Sequence, residues 1–205
     1  LTARTQRYGI FGGTFDPPHI GHLILAAEAY QQLSLKRVLW VLTPAPPHKR
    51  EQEITPSAAR LAMLRAALGD DPAFELSGVD IDRPPPHYAA DTMALLRAQM
   101  RAGCLYYLMG EDSLDDLPSW HAPARFLALC DGLGVMRRPR REVDLEALET
   151  QLPGVRAKLN FIQAPLLEIS STEIRGRVRQ GRPYRYYLPP GVYEIVRSER
   201  LYLSD

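Results

Sequence analysis

The residues whose types and spacing could do chemistry gather in a few short blocks. The first is Gly12-Gly13-Thr14-Phe15-Asp16-Pro17-Pro18-His19-Ile20-Gly21-His22-Leu23, directly after an apolar run. Paired glycines after a strand let the backbone approach a phosphate closely, and Thr14 adds a hydroxyl donor. Asp16-Pro17-Pro18 is turn chemistry, so a helix starts no earlier than about His19. His19 and His22 then stand i and i+3 on the first turn, beside free N–H groups and the positive dipole end. Two imidazoles there suit a polyphosphate whose charge shifts during reaction. The other readings are a metal pair and two surface histidines. A metal needs further ligands, and His48, His87 and His121 are scattered along the chain.

Ile169-Ser170-Ser171-Thr172-Glu173-Ile174-Arg175 reads as a helix start, with Ser170 and Glu173 as a capping box. Its N–H groups, Ser171, Thr172 and Arg175 could converge on phosphate oxygens, although a well-capped amphipathic helix has the same pattern. Thr43-Pro44-Ala45-Pro46-Pro47-His48-Lys49 is a proline-stiffened loop. Only three of the 25 basic residues are lysines, so Lys49 stands out. It is either a mobile phosphate clamp or a solvated loop charge. Asp112, in Met109-Gly110-Glu111-Asp112-Ser113, is either an acceptor for a ribose hydroxyl or a helix N-cap. Trp120 is either a stacking face for a flat ring or core, and Trp40, inside an apolar run, is assigned to core. Arg138 is either a nucleotide contact or one solvated member of the basic run Arg137–Arg141.

These blocks sit between regular elements. Strands are predicted at Tyr8–Gly12, Val38–Thr43, Phe74–Val79, Leu105–Met109, Gly132–Met136 and Leu159–Gln163, most of them near-continuously apolar, as in parallel strands covered on both faces. Helical periodicity follows from Ile20, then after Thr55 as N-cap with Pro56 at the first position, and at 90–101, 122–130 and 144–151. Two more helices, Ser171–Gln180 and Gly191–Arg200, form a small C-terminal helical part. The alternation implies one doubly wound, mostly parallel α/β domain over residues 1–205, with helices on both faces and ligands at the carboxyl ends of the strands. With 205 residues and a net charge of +1, no global field recruits nucleic acid or an anionic membrane. No apolar run approaches ~18 residues, and the apolar stretch behind the basic N-terminus is too short for a signal peptide. Two cysteines without a CxxC pattern fit a reducing cytoplasm.

GGTFDPPHIGH resembles the signature of the nucleotidylyltransferase superfamily, which shares its HxGH element with class I aminoacyl-tRNA synthetases. Ile169–Arg175 resembles its second signature, and together they point to ATP. The PPHK loop looks like that of the nicotinate mononucleotide adenylyltransferases. GEDS followed by Trp120 is similar to that family's GxDS…W segment, and Arg137-Arg138-Pro139 and Tyr187-Leu188-Pro189 also fit. The resemblance runs in order over essentially the whole chain. It implies adenylyl transfer from ATP to nicotinate mononucleotide, giving deamido-NAD and pyrophosphate by direct attack of the acceptor's phosphate oxygen. It implies that His19, His22, Lys49 and Arg175 carry the reaction. ATP would be held by Gly12, Gly13, Thr14, Phe15, His19, His22, Gly110, Asp112, Arg138, Ile169, Ser171, Thr172 and Arg175. The mononucleotide would meet Gly13, Thr14, Thr43, His48, Lys49, Tyr88, Ala89, Thr92, Trp120 and His121. Mg²⁺ would arrive with ATP rather than in a protein cage. The rival readings are another acceptor (nicotinamide mononucleotide or phosphopantetheine), cytidylyl transfer, and a catalytically silent nucleotide sensor. One departure stands out. Where the family usually has SYTxxT, this chain has His87-Tyr88-Ala89-Ala90-Asp91-Thr92. Ala89 keeps only its backbone N–H for the substrate, and recognition of a ring carboxylate then falls to main-chain donors at Tyr88–Ala89 and Trp120–His121.

Overall fold

The computed structural model describes residues 6–46, 54–137, 143–165 and 167–203. The elements run β1 (Arg7–Gly13), α1 (Ile20–Gln32), β2 (Arg37–Leu42), α2 (Ser57–Leu68), β3 (Phe74–Ser77), α3 (Ala89–Gln99), β4 (Cys104–Gly110), α4 (Glu111–Asp115), α5 (Pro123–Leu129), β5 (Gly132–Met136), α6 (Leu145–Gln151), β6 (Leu159–Ile162), α7 (Ser171–Arg179) and α8 (Pro190–Ser198). The six strands form one sheet in the order β3-β2-β1-β4-β5-β6, and every neighbouring pair is parallel. The strand order reverses between β1 and β4, so the crevice beyond Gly13 and Gly110 is the switch point at which such sheets bind ligands.

Burial on both faces explains the unbroken apolar runs. Ile10, Leu39, Val41, Leu105, Tyr107 and Val135 point to one side, against Ala90, Met93 and Leu96 of α3 and Phe126 of α5. Phe11, Val38, Trp40, Leu42 and Leu108 point to the other, against Leu25, Ala26 and Ala29 of α1 and Leu64 of α2. Trp40 is wholly buried, as assigned. The C-terminal helices have their own cluster, Ile174, Val178, Val192 and Val196, which closes onto Met63 of α2.

All six predicted strands are present, with ends displaced by at most two residues. The start of α2 differs from expectation. Its N-cap is Pro56, and Thr55 stands outside the helix. The Thr55 N–H donates to Asp16 Oδ2 at 3.2 Å and its carbonyl accepts from Arg60 Nε at 2.7 Å, so tertiary partners take both groups. At α7 the Ser170 side chain accepts the Glu173 N–H, as predicted, while the Glu173 carboxylate pairs with Arg177 at 2.8 Å. Helix α4 has no counterpart in the sequence reading.

Candidate active site

A cavity of about 890 Å³ opens at the switch point. It is lined by Gly12, Gly13, Thr14, Phe15, His19 and His22 from the β1–α1 connection, Thr43 after β2, and Tyr88, Ala89 and Thr92 at the start of α3. Gly110 and Asp112 after β4, the Trp120-His121 turn and Ile169 complete it. Ser171, Thr172 and Arg175 do not line it; Ser171 and Arg175 reach the Asp16-Pro17 turn instead. His48, Lys49 and Arg138 lie outside the described residues.

His19 is the N-cap of α1 and His22 its third residue. Their rings stack with centroids 3.6 Å apart and an interplanar angle of 27°. His22 Nδ1 accepts the His19 N–H at 3.1 Å. In a neutral ring this puts the proton on Nε2, which becomes the donor. Phe15 packs edge-on to His22 at 5.2 Å and Phe11 lies 5.8 Å away, so aromatic walls fix the ring. Phe15 takes a left-handed conformation (φ 48°), a strain of roughly 1–2 kcal/mol for a residue with a Cβ. Burial of its ring against Phe11 and Trp40 offsets that cost.

The glycines serve packing as well as phosphate access. A Cβ at Gly12 would lie 2.5 Å from Tyr107 Oη, and one at Gly13 would lie 3.0 Å from the Phe15 ring.

Arg60 and Tyr202, which the sequence did not single out, and Asp16, read there as turn chemistry, assemble these loops. Arg60 is 1% exposed. It donates to four carbonyls: Thr55 at 2.7 Å, Thr14 at 2.9 Å, Thr43 at 2.9 Å and Pro44 at 2.6 Å. Burial pulls its pKa below the ordinary value and Asp16 partly offsets this; an arginine keeps its charge regardless. Asp16 is buried too, accepting from Thr55 N–H and from Tyr202 Oη at 2.7 Å. Burial, reinforced by Asp16, raises the Tyr202 phenol above its usual range and keeps it a donor. Helix α7 is stitched to the same turn. Arg175 Nη1 donates to the Asp16 carbonyl at 2.7 Å and Ser171 Oγ to the Pro17 carbonyl at 2.9 Å. Arg175 Nη2 also donates to Thr172 Oγ1 at 3.3 Å.

On the opposite side, α3 begins at Ala89 with Tyr88 as N-cap and no side-chain cap. The Asp91 and Thr92 N–H groups return to the Tyr88 carbonyl. Thr92 lines the cavity but gives its one hydroxyl proton to Asp80, at 2.8 Å, and receives Arg83 Nη2 at 3.3 Å. Arg83 Nε pairs with Asp80 at 2.9 Å. The Thr92 hydroxyl therefore holds the loop. The Tyr88 and His121 rings stack 3.9 Å apart. The Trp120 N–H is taken by the Leu117 carbonyl, and the indole is half-buried against Phe126 and Tyr107. The capping alternative for Asp112 is overturned, because Gly110 holds the N-cap position of α4. Cys130 is no nucleophile here: burial pushes its thiol up to about 12. Among the described residues, no group of three or more His, Cys, Asp or Glu side chains could hold a metal ion, and no helix is long and apolar enough to cross a membrane.

The sequence profile of the cytidylyltransferase-like family matches residues 10–177. A Thermomicrobium roseum protein named "probable nicotinate-nucleotide adenylyltransferase" is 47% identical over 96% of this chain and 92% of its own length. A protein of the same name from Roseiflexus sp. is 43% identical over 95% of this chain and 96% of its own. Among solved structures, Plasmodium falciparum nicotinic acid mononucleotide adenylyltransferase complexed with NaAD superposes with a TM-score of 0.79, covering 96% of this chain and 97% of that one at 17% identity. That likeness is one of fold. By profile and by near end-to-end relatives, the chain belongs to the cytidylyltransferase-like family, among the proteins named nicotinate-nucleotide adenylyltransferases.

Proposed function

We propose that this chain transfers the adenylyl group of ATP to nicotinate mononucleotide, forming deamido-NAD and releasing pyrophosphate. The observation that carries this reading is a single cavity with a stacked histidine pair at one helix start and a second, uncapped helix start beside Trp120 across from it. An oxygen of the mononucleotide phosphate attacks the α-phosphorus. The bond from that phosphorus to the bridging oxygen of the β-phosphate breaks, and pyrophosphate leaves. No enzyme nucleophile is needed, so the protein contributes positioning and charge stabilisation. His22 Nε2 donates to the α/β-phosphate region, and the His19 ring stacked on it shares that end. Arg175 retains N–H groups beyond the two bonds it makes, and with Ser171 and Thr172 it serves the β/γ end. Lys49 and His48 act from the loop after Thr43, and Arg138 on the nucleotide, as the family resemblance implies. Asp112 accepts from ribose, and Mg²⁺ enters as part of Mg·ATP.

Acid over amide follows from the donors. The Ala89 and Ala90 N–H groups open α3 without an acceptor among the described residues, and the His121 ring stacks on Tyr88, the N-cap residue. Such donors reward a carboxylate and oppose an amide NH₂, a mismatch of ~1–3 kcal/mol. Pyrophosphate release with nicotinate mononucleotide, nicotinamide mononucleotide or phosphopantetheine, each with ATP or CTP, tests the reading. ATP with the acid is the expected best pair. Release only with CTP, or only with another acceptor, would contradict it.

A further inference from the structure

Tyr107 lies on β4, next to the point where the strand order reverses, and is 6% exposed. Its ring is held edge-on by Phe126 at 4.9 Å and Trp120 at 6.0 Å. The hydroxyl end reaches the backbone of Gly12, where even a methyl group would collide with it. The residue lines the cavity, yet its Oη makes no hydrogen bond to any described residue. Asp80, by contrast, takes Thr92 and Arg83, and Arg60 takes four carbonyls. The hydroxyl opens onto the cavity, where a phenylalanine would fill the same space but offer no donor. Burial, with Cys130 and Asp80 adding to it, raises the phenol above its ordinary pKa, so it remains a neutral donor.

The Tyr107 ring packs with Trp120, Ala89 and Ala90 in the apolar layer on the α3 side of the sheet, whereas Ile169 belongs to the cluster around the C-terminal helices. Resting on the function proposed above, we infer that Tyr107 Oη donates a hydrogen bond to the nucleoside part of the acceptor mononucleotide bound against Trp120. The phenol is then a binding contact whose partner arrives with the substrate.

Tyr107→Phe removes one oxygen and leaves the packing intact. Steady-state kinetics with each substrate varied in turn, calorimetric titration with nicotinate mononucleotide, and a thermal melt of the substrate-free protein test the inference. The expected result is a KM and Kd for the mononucleotide raised roughly fivefold to thirtyfold, the loss of one hydrogen bond to a buried group. The KM for ATP should shift less than about twofold, and the melting temperature should hold or rise. An unchanged affinity for the mononucleotide overturns the inference while leaving adenylyl transfer standing. A lowered melting temperature with equal losses for both substrates also overturns it, since that marks a structural hydroxyl. Wild-type protein that neither binds nor adenylylates the mononucleotide overturns the inference and the proposed function together.

Discussion

His22 shows how a side chain is prepared by its own helix. Its Nδ1 accepts the His19 N–H, which in a neutral ring puts the proton on Nε2. His22→Ala should lower kcat/KM by about 10² or more, the scale of losing a positioned donor, with little change in melting temperature. A folded variant with near-normal turnover would remove His22 from the mechanism. The pair was legible because its signal is local: two prolines fix the helix start and the spacing does the rest. Arg60 was not. It sits in a helix with the apolar positions Leu61, Leu64, Ala67 and Leu68, where a lone arginine looks like part of a solvated face. Only the folded chain brings the carbonyls of Thr14, Thr43 and Pro44 around it. Arg60→Lys replaces a planar fork by a point charge and leaves at least one of these carbonyls unmatched. The expected loss is ~2–4 kcal/mol in urea unfolding, with a lower kcat/KM as both loops shift. A wild-type unfolding midpoint would show that the clamp is dispensable.

Among the elements, α3 carries the proposed specificity. The helical periodicity at 90–101 marks its start within one residue of Ala89. The network behind it was hidden, since Asp80, Arg83 and Thr92 are separated along the chain and none belongs to a motif. Thr92 could be assigned to the cavity from the sequence, but not its commitment to Asp80. Tyr88 has φ −83° and ψ 139°, the conformation favoured before a proline, and Ala89 is the first helical residue. Ala89→Pro therefore deletes one N–H without disturbing the helix. The preference for acid over amide, taken as a ratio of kcat/KM values, should fall roughly tenfold for one lost donor to a charged group. An unchanged ratio in a folded variant would move carboxylate recognition away from α3. The His121 ring stacks on Tyr88, so the His121 side chain shapes this helix start.

Across the whole molecule, the parallel sheet explains why the site is assembled from distant parts of the sequence. The order β3-β2-β1-β4-β5-β6 places the loops after β1, β2 and β4 around one crevice. The C-terminal helices then close over it through Asp16, and Tyr202 ties the end of the described chain to the first loop. Tyr202→Phe should lower stability by ~1–2 kcal/mol in urea unfolding by leaving Asp16 short of a donor. It should also reduce turnover severalfold; full stability and activity would argue against this tie. Alternating apolar and amphipathic segments made the layered fold legible, but the long-range ties through Tyr202 and Arg60 depend on tertiary distances that no sequence pattern encodes. The central claim is that this cavity joins ATP to an acid-bearing mononucleotide. Equal concentrations of nicotinate and nicotinamide mononucleotide competing for limiting ATP, with both dinucleotides quantified by mass, test it most directly. Deamido-NAD should form in roughly tenfold or greater excess over NAD. Equal amounts, an excess of NAD, or no dinucleotide at all would contradict it.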